Sequence, residues 1–197
     1  MQSVFLPEEL VSDRLRLRRP ASTDLPALYD IYSDKSVAQW LNWPVYTDRD
    51  AFAKDIERYE ALWKRGEEYY WVIELSASSS VIGSIACGIK ETDADIGFML
   101  STNHRGQGYA TEAARRLLNE LISSDKIQRV VALTAVENDA SIAVLGRAGM
   151  QKKGVAPEFL VCPNMSDKAR DALIFSIDCR DIDTKTPDTK NSDGLIY

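Results

Sequence analysis

In the stretch DRLRLRRP, Leu15 and Leu17 alternate with Arg14, Arg16 and Arg18. That period of two predicts a half-buried strand ended by Pro20, with the arginines on its solvent side. The spacing then lengthens to a helical one. STDLPALYDIYSD predicts a short helix capped near Thr23 or Asp24. The run from Trp40 to Gly66 predicts a loop and then a second helix, opened by Thr47 and Asp50 as a capping box and stopped by Gly66. Three strand-like runs follow, YYWVIEL, VIGSIACGI and DIGFML, separated by SASSS and KETDA, the spacing of an antiparallel meander. An amphipathic helix is predicted over residues 111–123 and a buried strand at RVVALTAV. NDASIAVLGRAG predicts a short helix with Asn138 as N-cap and Gly149 as C-cap. Two strands around residues 159–162 and 172–179 close the pattern. From Asp181 onward the chain is polar with little to bury, so we expect one domain over residues 1–180 and a mobile tail over 181–197. The element order is that of a mixed α/β (α+β) layer in which helices cover one sheet.

Composition narrows the function classes. The chain has 197 residues, 45% hydrophobic and 27% charged, ordinary for a globular protein with a sizeable core. Its net charge of -6 argues against nucleic acid as a partner and is compatible with a cationic substrate. Cys87, Cys162 and Cys179 show no CxxC spacing, and His104 is the single histidine, too few ligands for a Cys/His metal site. No apolar run approaches membrane-spanning length, and MQSVFLPEEL lacks the charged-then-apolar order of a signal peptide. The expected setting is a reducing cytosol, without metal or membrane partner, as a monomer or homodimer.

The chemistry concentrates in NHRGQGYATEAARRLL, where Gly106 and Gly108 alternate with Arg105 and Gln107 at the mouth of a helix. Helix starts leave backbone N–H groups unpaired and glycines let backbone approach a ligand closely, so the stretch can cradle phosphate. A glycine-rich turn joining strand to helix is the alternative. A Walker loop is excluded, because no Lys-Ser or Lys-Thr pair follows the glycines. A dinucleotide fold competes, since GQGYAT begins like G-x-G-x-x-G and Glu137 ends the next strand. Against it, residues 101–105 separate strand from glycine, and Thr111 stands where the third glycine belongs.

DIGFMLSTNHRGQGYATEAARRLL, followed further on by ENDASIAVLGRAGM, resembles the GNAT superfamily of acetyl-CoA-dependent N-acetyltransferases. LVSDRLRLRRPASTDLPALY and GYATEA are similar to its RimJ/RimL-like branch, and the likeness runs in consistent order over roughly residues 10–180. The resemblance implies a GNAT-like mixed, mostly antiparallel central sheet of about seven strands flanked by about four helices. It implies transfer of an acetyl group from acetyl-CoA to a primary amine, a protein N-terminus or a small molecule, by direct attack. It also implies the site. The loop Asn103, His104, Arg105, Gly106, Gln107, Gly108, with the amides of Tyr109 and Ala110, binds the pyrophosphate of coenzyme A; Asn103 departs from the family's Gln or Arg. The pantetheine arm lies along the backbone of Phe98, Met99 and Leu100 like an added strand. Asn138 matches an asparagine that holds pantetheine, with helix capping as its other reading.

Direct attack needs a route for the amine proton and an acid for the departing thiolate. Many relatives use a tyrosine as that acid, and here the matching position is Leu145. Ser141 is the candidate in its place, against a plain role at the helix start. Asp95, sharing a strand face with Gly97 and Met99, is the candidate base, acting directly or through water, against a solvated strand-end charge. His104 lies in the phosphate loop, away from the thioester end, and Cys87 has no histidine partner for nucleophilic work. Trp40 and Trp43, with Tyr46, sit in the loop expected to border the acceptor, where aromatic faces suit cationic or flat groups, although such residues also serve as core anchors. The missing tyrosine leaves a rival open: a non-catalytic acetyl-CoA-binding sensor or regulatory module.

Overall fold

A computed structural model of the chain describes residues 4–179. The alternation at its start does what a period of two requires, with Leu15 and Leu17 wholly buried. Their strand, β2 (Leu15–Arg18), pairs with a three-residue strand β1 (Glu9–Val11) that the sequence pattern does not mark. Helices α1 (Leu25–Ser33), α2 (Lys35–Ala38) and α3 (Arg49–Arg65) follow, then the meander β3 (Glu68–Leu75), β4 (Val81–Lys90) and β5 (Asp93–Leu100). Next come α4 (Tyr109–Ile122), β6 (Arg129–Ala135), α5 (Asp139–Arg147), β7 (Gln151–Cys162) and β8 (Ser166–Asp178). Among the described residues eight strands form one sheet in the order β1-β2-β3-β4-β5-β6-β8-β7, and of its neighbouring pairs only β5 and β6 run parallel. That parallel pair needs a crossover, and α4 supplies it.

The sheet separates two apolar layers. On one face α4, through Ala113, Ala114, Leu117, Leu118 and Leu121, and α5, through Leu145, pack on residues such as Ile85, Ile96, Val130 and Phe175. On the other, α1 and α3 bury Leu28, Ile31, Tyr32, Phe52 and Ile56 against Tyr70, Val72 and Met99. Alternation along β5 therefore sends Ile96 to the α4 side and Met99 to the α1–α3 side.

Several expectations are corrected in detail. Among the described residues the mostly antiparallel sheet has eight strands and there are five helices, in keeping with the about seven and about four expected, and the additional elements, β1 and the one-turn α2, are too short to leave a periodic signal. The N-cap of α3 is Asp48, whose side chain accepts from the Asp50 N–H at 2.8 Å, not Thr47. Gly66 ends α3 as expected, in the left-handed region at φ 70°. Arg18 is not a solvent-facing arginine: its guanidinium is held between Asp24 at 2.7 Å and Glu74 at 2.6 Å. β7 and β8 reach 12 and 13 residues, far beyond the apolar runs near their ends. β7 lies at the sheet edge with register shifts around Lys152, Ala156 and Leu160, where glycine, proline and lysine are tolerated. The expected tail over 181–197 lies outside the described residues.

Candidate active site

The parallel strands meet only at their beginnings. β5 pairs with β6 through Asp93↔Arg129, Ala94↔Val130 and Asp95↔Val131, and no further. β4 meanwhile stays paired with β5 up to Leu100, and β8 with β6 up to Ala135. Past Asp95 the two strands diverge and open a wedge whose β5 wall is residues 96–100, with no strand partner on that side among the described residues. Unpaired main-chain groups in a sheet can accept an extended segment as an added strand. Phe98, Met99 and Leu100 lie on this wall, with the Met99 and Leu100 side chains buried.

At the wide end of the wedge the chain passes through a short 3-10 turn, Thr102–His104, and the glycine loop into α4. Gly106 and Gly108 take φ of 75° and 82°, a region L side chains avoid. Gly108 is the N-cap of α4 and no side chain among the described residues caps the helix, so its first amides, those of Tyr109 and Ala110 included, are open to an anion. A Cβ on Gly106 would meet nothing within 4 Å, and one on Gly108 only Arg14 Nη2 at 3.5 Å. This open cradle of amides fits a diphosphate.

The loop is held from behind by residues that local sequence reasoning passed over. Arg14 donates from Nη1 to the Gln107 carbonyl at 3.1 Å and lies 4.5 Å over the Tyr109 ring. Glu112, in the first turns of α4, accepts from the Arg14 amide at 2.8 Å, from Arg14 Nε at 2.7 Å and from the Ser12 hydroxyl at 2.8 Å. Burial alone pushes the Glu112 carboxyl up, but these donors outweigh it and hold the group below the usual carboxylate range. On the other flank Arg105 donates to the Ser36 carbonyl at 3.2 Å, and Gln107 to the Asn103 carbonyl at 3.3 Å. His104 sits 6.4 Å from the Tyr109 ring, and its buried Nδ1 has no hydrogen-bond partner among the described residues.

Asp95 stands at the vertex of the wedge, facing the α1–α3 side with Gly97 and Met99. Its carboxylate folds over Gly88 on β4, so closely that a Cβ there would lie 2.6 Å from Asp95 Oδ1. The residue keeps an exposed edge, yet partial burial raises its pKa above the usual carboxylate range. Glu68, in register with Gly88 on β3, is raised in the same direction by burial and by the Asp95 charge. Beneath the same face Tyr32, Tyr70 and Ser84 form a buried hydroxyl cluster, with Tyr32 Oη 2.9 Å from Tyr70 Oη and 3.0 Å from Ser84 Oγ. Cys87 is fully buried, and burial pushes its thiol well up, which disfavours the thiolate that nucleophilic work needs.

Asn138 and Ser141 lie just past the C-terminal end of β6, across the wedge from the glycine loop. Asn138 caps α5, its Oδ1 accepting from the Ser141 N–H at 3.2 Å, so the capping reading holds. The Ser141 hydroxyl itself has no hydrogen-bond partner among the described residues, while Leu145 is 1% exposed within the core. The loop between α2 and α3 carries Trp40, partly buried, and Trp43, 37% exposed. Tyr46 is a core anchor instead: its ring packs 5.0 Å from Phe52 and its hydroxyl donates to Asp55 at 2.7 Å. The structure thus gathers β5, the glycine loop, Asn138 and Ser141 at the carboxyl ends of the parallel strands, with Asp95 apart at the vertex.

Residues 14–151 match the family profile described as Acetyltransferase (GNAT) domain. The chain is 30% identical over 172 residues to the uncharacterized N-acetyltransferase p20 of Bacillus licheniformis, covering 85% of this chain and 92% of that protein. It is 27% identical over 150 residues to the ribosomal-protein-serine acetyltransferase of Escherichia coli, covering 73% and 83%. Among solved structures, RimL, a ribosomal alpha-N-protein acetyltransferase in complex with coenzyme A, superposes with a TM-score of 0.77 at 24% identity, covering 87% of this chain and 98% of that one.

Proposed function

Because the chain belongs to the GNAT acetyltransferase family, with relatives in the RimJ/RimL branch, we propose that it moves the acetyl group of acetyl-CoA to a primary amine by direct attack. The observation that carries this reading is the wedge between β5 and β6 opening beside the uncapped, glycine-lined start of α4. A thioester arm laid in the wedge and an anion on the helix start account for both features together.

In this reading the amides of residues 105–110 hold the pyrophosphate, and the main chain of Phe98, Met99 and Leu100 pairs with the pantetheine, steadied by Asn138. Asp95 takes up the proton of the attacking amine through water, and the Ser141 hydroxyl protonates the leaving thiolate. Trp43 and Trp40 border the acceptor with aromatic faces suited to a cationic amine before it loses its proton. The acceptor class is a primary amine, a protein N-terminus or a small molecule.

The deciding experiment is coenzyme A release with a panel of primary amines and hydroxyl compounds, scored by mass spectrometry of the products. Acetylation of amines supports the proposal, and a hydroxyl compound acetylated faster than every amine refutes it. Leu145, at the position where the resemblance implies a tyrosine acid in many members of the family, favours one other reading, a non-catalytic acetyl-CoA sensor. That reading gains if acetyl-CoA raises the melting temperature while no amine releases coenzyme A.

A further inference from the structure

The loop joining α2 to α3, residues 39–48, contains no helix or strand, so something else must fix its shape. Tyr46 anchors its later part on Phe52 and Asp55, and three hydrogen bonds come from one side chain distant in the sequence. Asn164 sits at the tip of the β7–β8 hairpin, in a tight turn closed by the Met165 N–H donating to the Cys162 carbonyl at 2.9 Å. Its Nδ2 donates to the Ala38 carbonyl at 2.8 Å and to the Trp43 carbonyl at 2.9 Å, while its Oδ1 accepts from the Val45 N–H at 2.8 Å. Both amide hydrogens and the carbonyl of Asn164 are directed at the loop. The neighbouring Cys162 thiol adds a contact to the Trp40 carbonyl at 3.6 Å.

The placement of the two anchored ends gives this contact its meaning. Near its start the α2 segment rests on the turn after β5, where Thr102 donates to Asp34 at 3.3 Å and Arg105 to the Ser36 carbonyl at 3.2 Å. At its far end it rests on Asn164. The β7–β8 hairpin runs past the last β6 pairing, Ala135↔Ala172, so its tip projects beyond the carboxyl end of β6. The segment therefore spans from the end of β5 to beyond the end of β6, over the α1–α3 side of the wedge, and brings Trp40 and Trp43 with it.

We propose that Asn164 is a positioning residue for the acceptor: it holds the tryptophan-bearing loop as a roof over the open wedge, and so sets which amine is accepted. This rests on the amine-transfer reading above. An asparagine is suited to the task because it alone among small side chains offers two donors and an acceptor in one plane.

The test compares wild type with Asn164→Ala and Asn164→Asp, the second keeping the acceptor for Val45 while facing two carbonyls with negative charge. With the best amine from the panel, both variants should raise the acceptor KM about tenfold or more and leave the acetyl-CoA KM within about twofold. Acrylamide quenching of tryptophan fluorescence should rise as well, because Trp40 and Trp43 lie on the loop while Trp63 and Trp71 are buried. An unchanged acceptor KM, a parallel rise in both KM values, or unchanged quenching in both folded variants overturns the inference. A wild type that binds acetyl-CoA but acetylates no amine overturns the transfer reading instead. Quenching then still decides whether Asn164 holds the loop.

Discussion

Replacing Glu112 with glutamine removes a single charge from the clamp behind the glycine loop, and its consequences can be worked from the geometry. The glutamine carbonyl can still accept from the Arg14 amide and the Ser12 hydroxyl, but its NH2 then faces Arg14 Nε, where Oε2 accepted at 2.7 Å. Losing a charge-assisted bond and opposing two donors costs about 1.5–3 kcal/mol in a buried setting. Arg14 is 48% exposed and Glu112 18%, so solvent screening brings the expected loss to about 1–2 kcal/mol. For a chain of this size that lowers Tm by about 2–8 °C. If the whole loss were felt by the loop, the acetyl-CoA KM would rise by up to about thirtyfold. Only the Arg14–Gln107 bond reaches the loop directly, so about three- to tenfold is expected, with kcat unchanged. The pH dependence has a fixed sign. Glu112 is held below the usual carboxylate range in the fold, so its contribution is present above the unfolded pKa and lost as pH falls through the folded one. The Tm gap between wild type and Glu112→Gln should therefore be widest near neutrality and narrow in acid. Thermal melts across pH and initial rates against acetyl-CoA measure both. A Tm loss with an unchanged acetyl-CoA KM would show that the clamp serves the fold alone, and no Tm loss at neutral pH would refute the clamp itself.

Three further outcomes are expected. Gly108→Val forces a β-branched residue to φ near 82° and sets its Cβ against the Arg14 guanidinium, so the loop that presents the amides is distorted and the melting shift given by acetyl-CoA in the wild type should disappear; a retained shift refutes the cradle. Ser141→Ala should lower kcat about ten- to a thousandfold with the acetyl-CoA KM little changed, and an unchanged kcat in an assay limited by chemistry assigns Ser141 to structure. Asp95→Asn should slow turnover most near neutral pH and least at high pH, where free amine is abundant; because burial raises the Asp95 pKa, the charged form is disfavoured in the fold, so the same variant should melt slightly higher than wild type at neutral pH, with the gap closing in acid, and a profile parallel to the wild type sinks the base role.

What the sequence made legible is what local physics encodes. Period-two alternation predicted β2, apolar runs separated by polar turns predicted the meander, and Gly66 and Asn138 marked an end of α3 and of α5, whereas the C-cap of α5 is Ala148 and the expected Gly149 follows it at φ 101°. The glycine loop at the start of α4 was legible because φ above zero and an uncapped helix start leave a residue signature. The rest depends on partners distant in the chain. Arg14 reads as one more exposed arginine until Glu112, 98 residues on, is seen to accept from it. Asn164 reads as a turn residue until it meets Ala38 and Val45, more than a hundred residues back. The wedge is least legible of all, since β5 and β6 are each regular strands and only their divergence after Asp95 makes the opening.

That divergence also bears on how a proton leaves the site. From β5, the wedge opens on the β6 side, while β4 lies on the other. The Asp95 carboxylate folds toward β4, over Gly88, and the absence of a side chain at Gly88 is what lets it do so. Under the proposed transfer, an amine attacking within the wedge has the carboxylate beside the vertex and turned from it. This favours water between them over direct contact. The raised pKa of Asp95 suits that arrangement, because a carboxylate disfavoured in its charged form binds a proton more readily than one free in water. Glu68 lies in the same row, and burial together with the Asp95 charge raises it as well, so under the proposed transfer a second carboxyl group with raised proton affinity stands beside the proposed base.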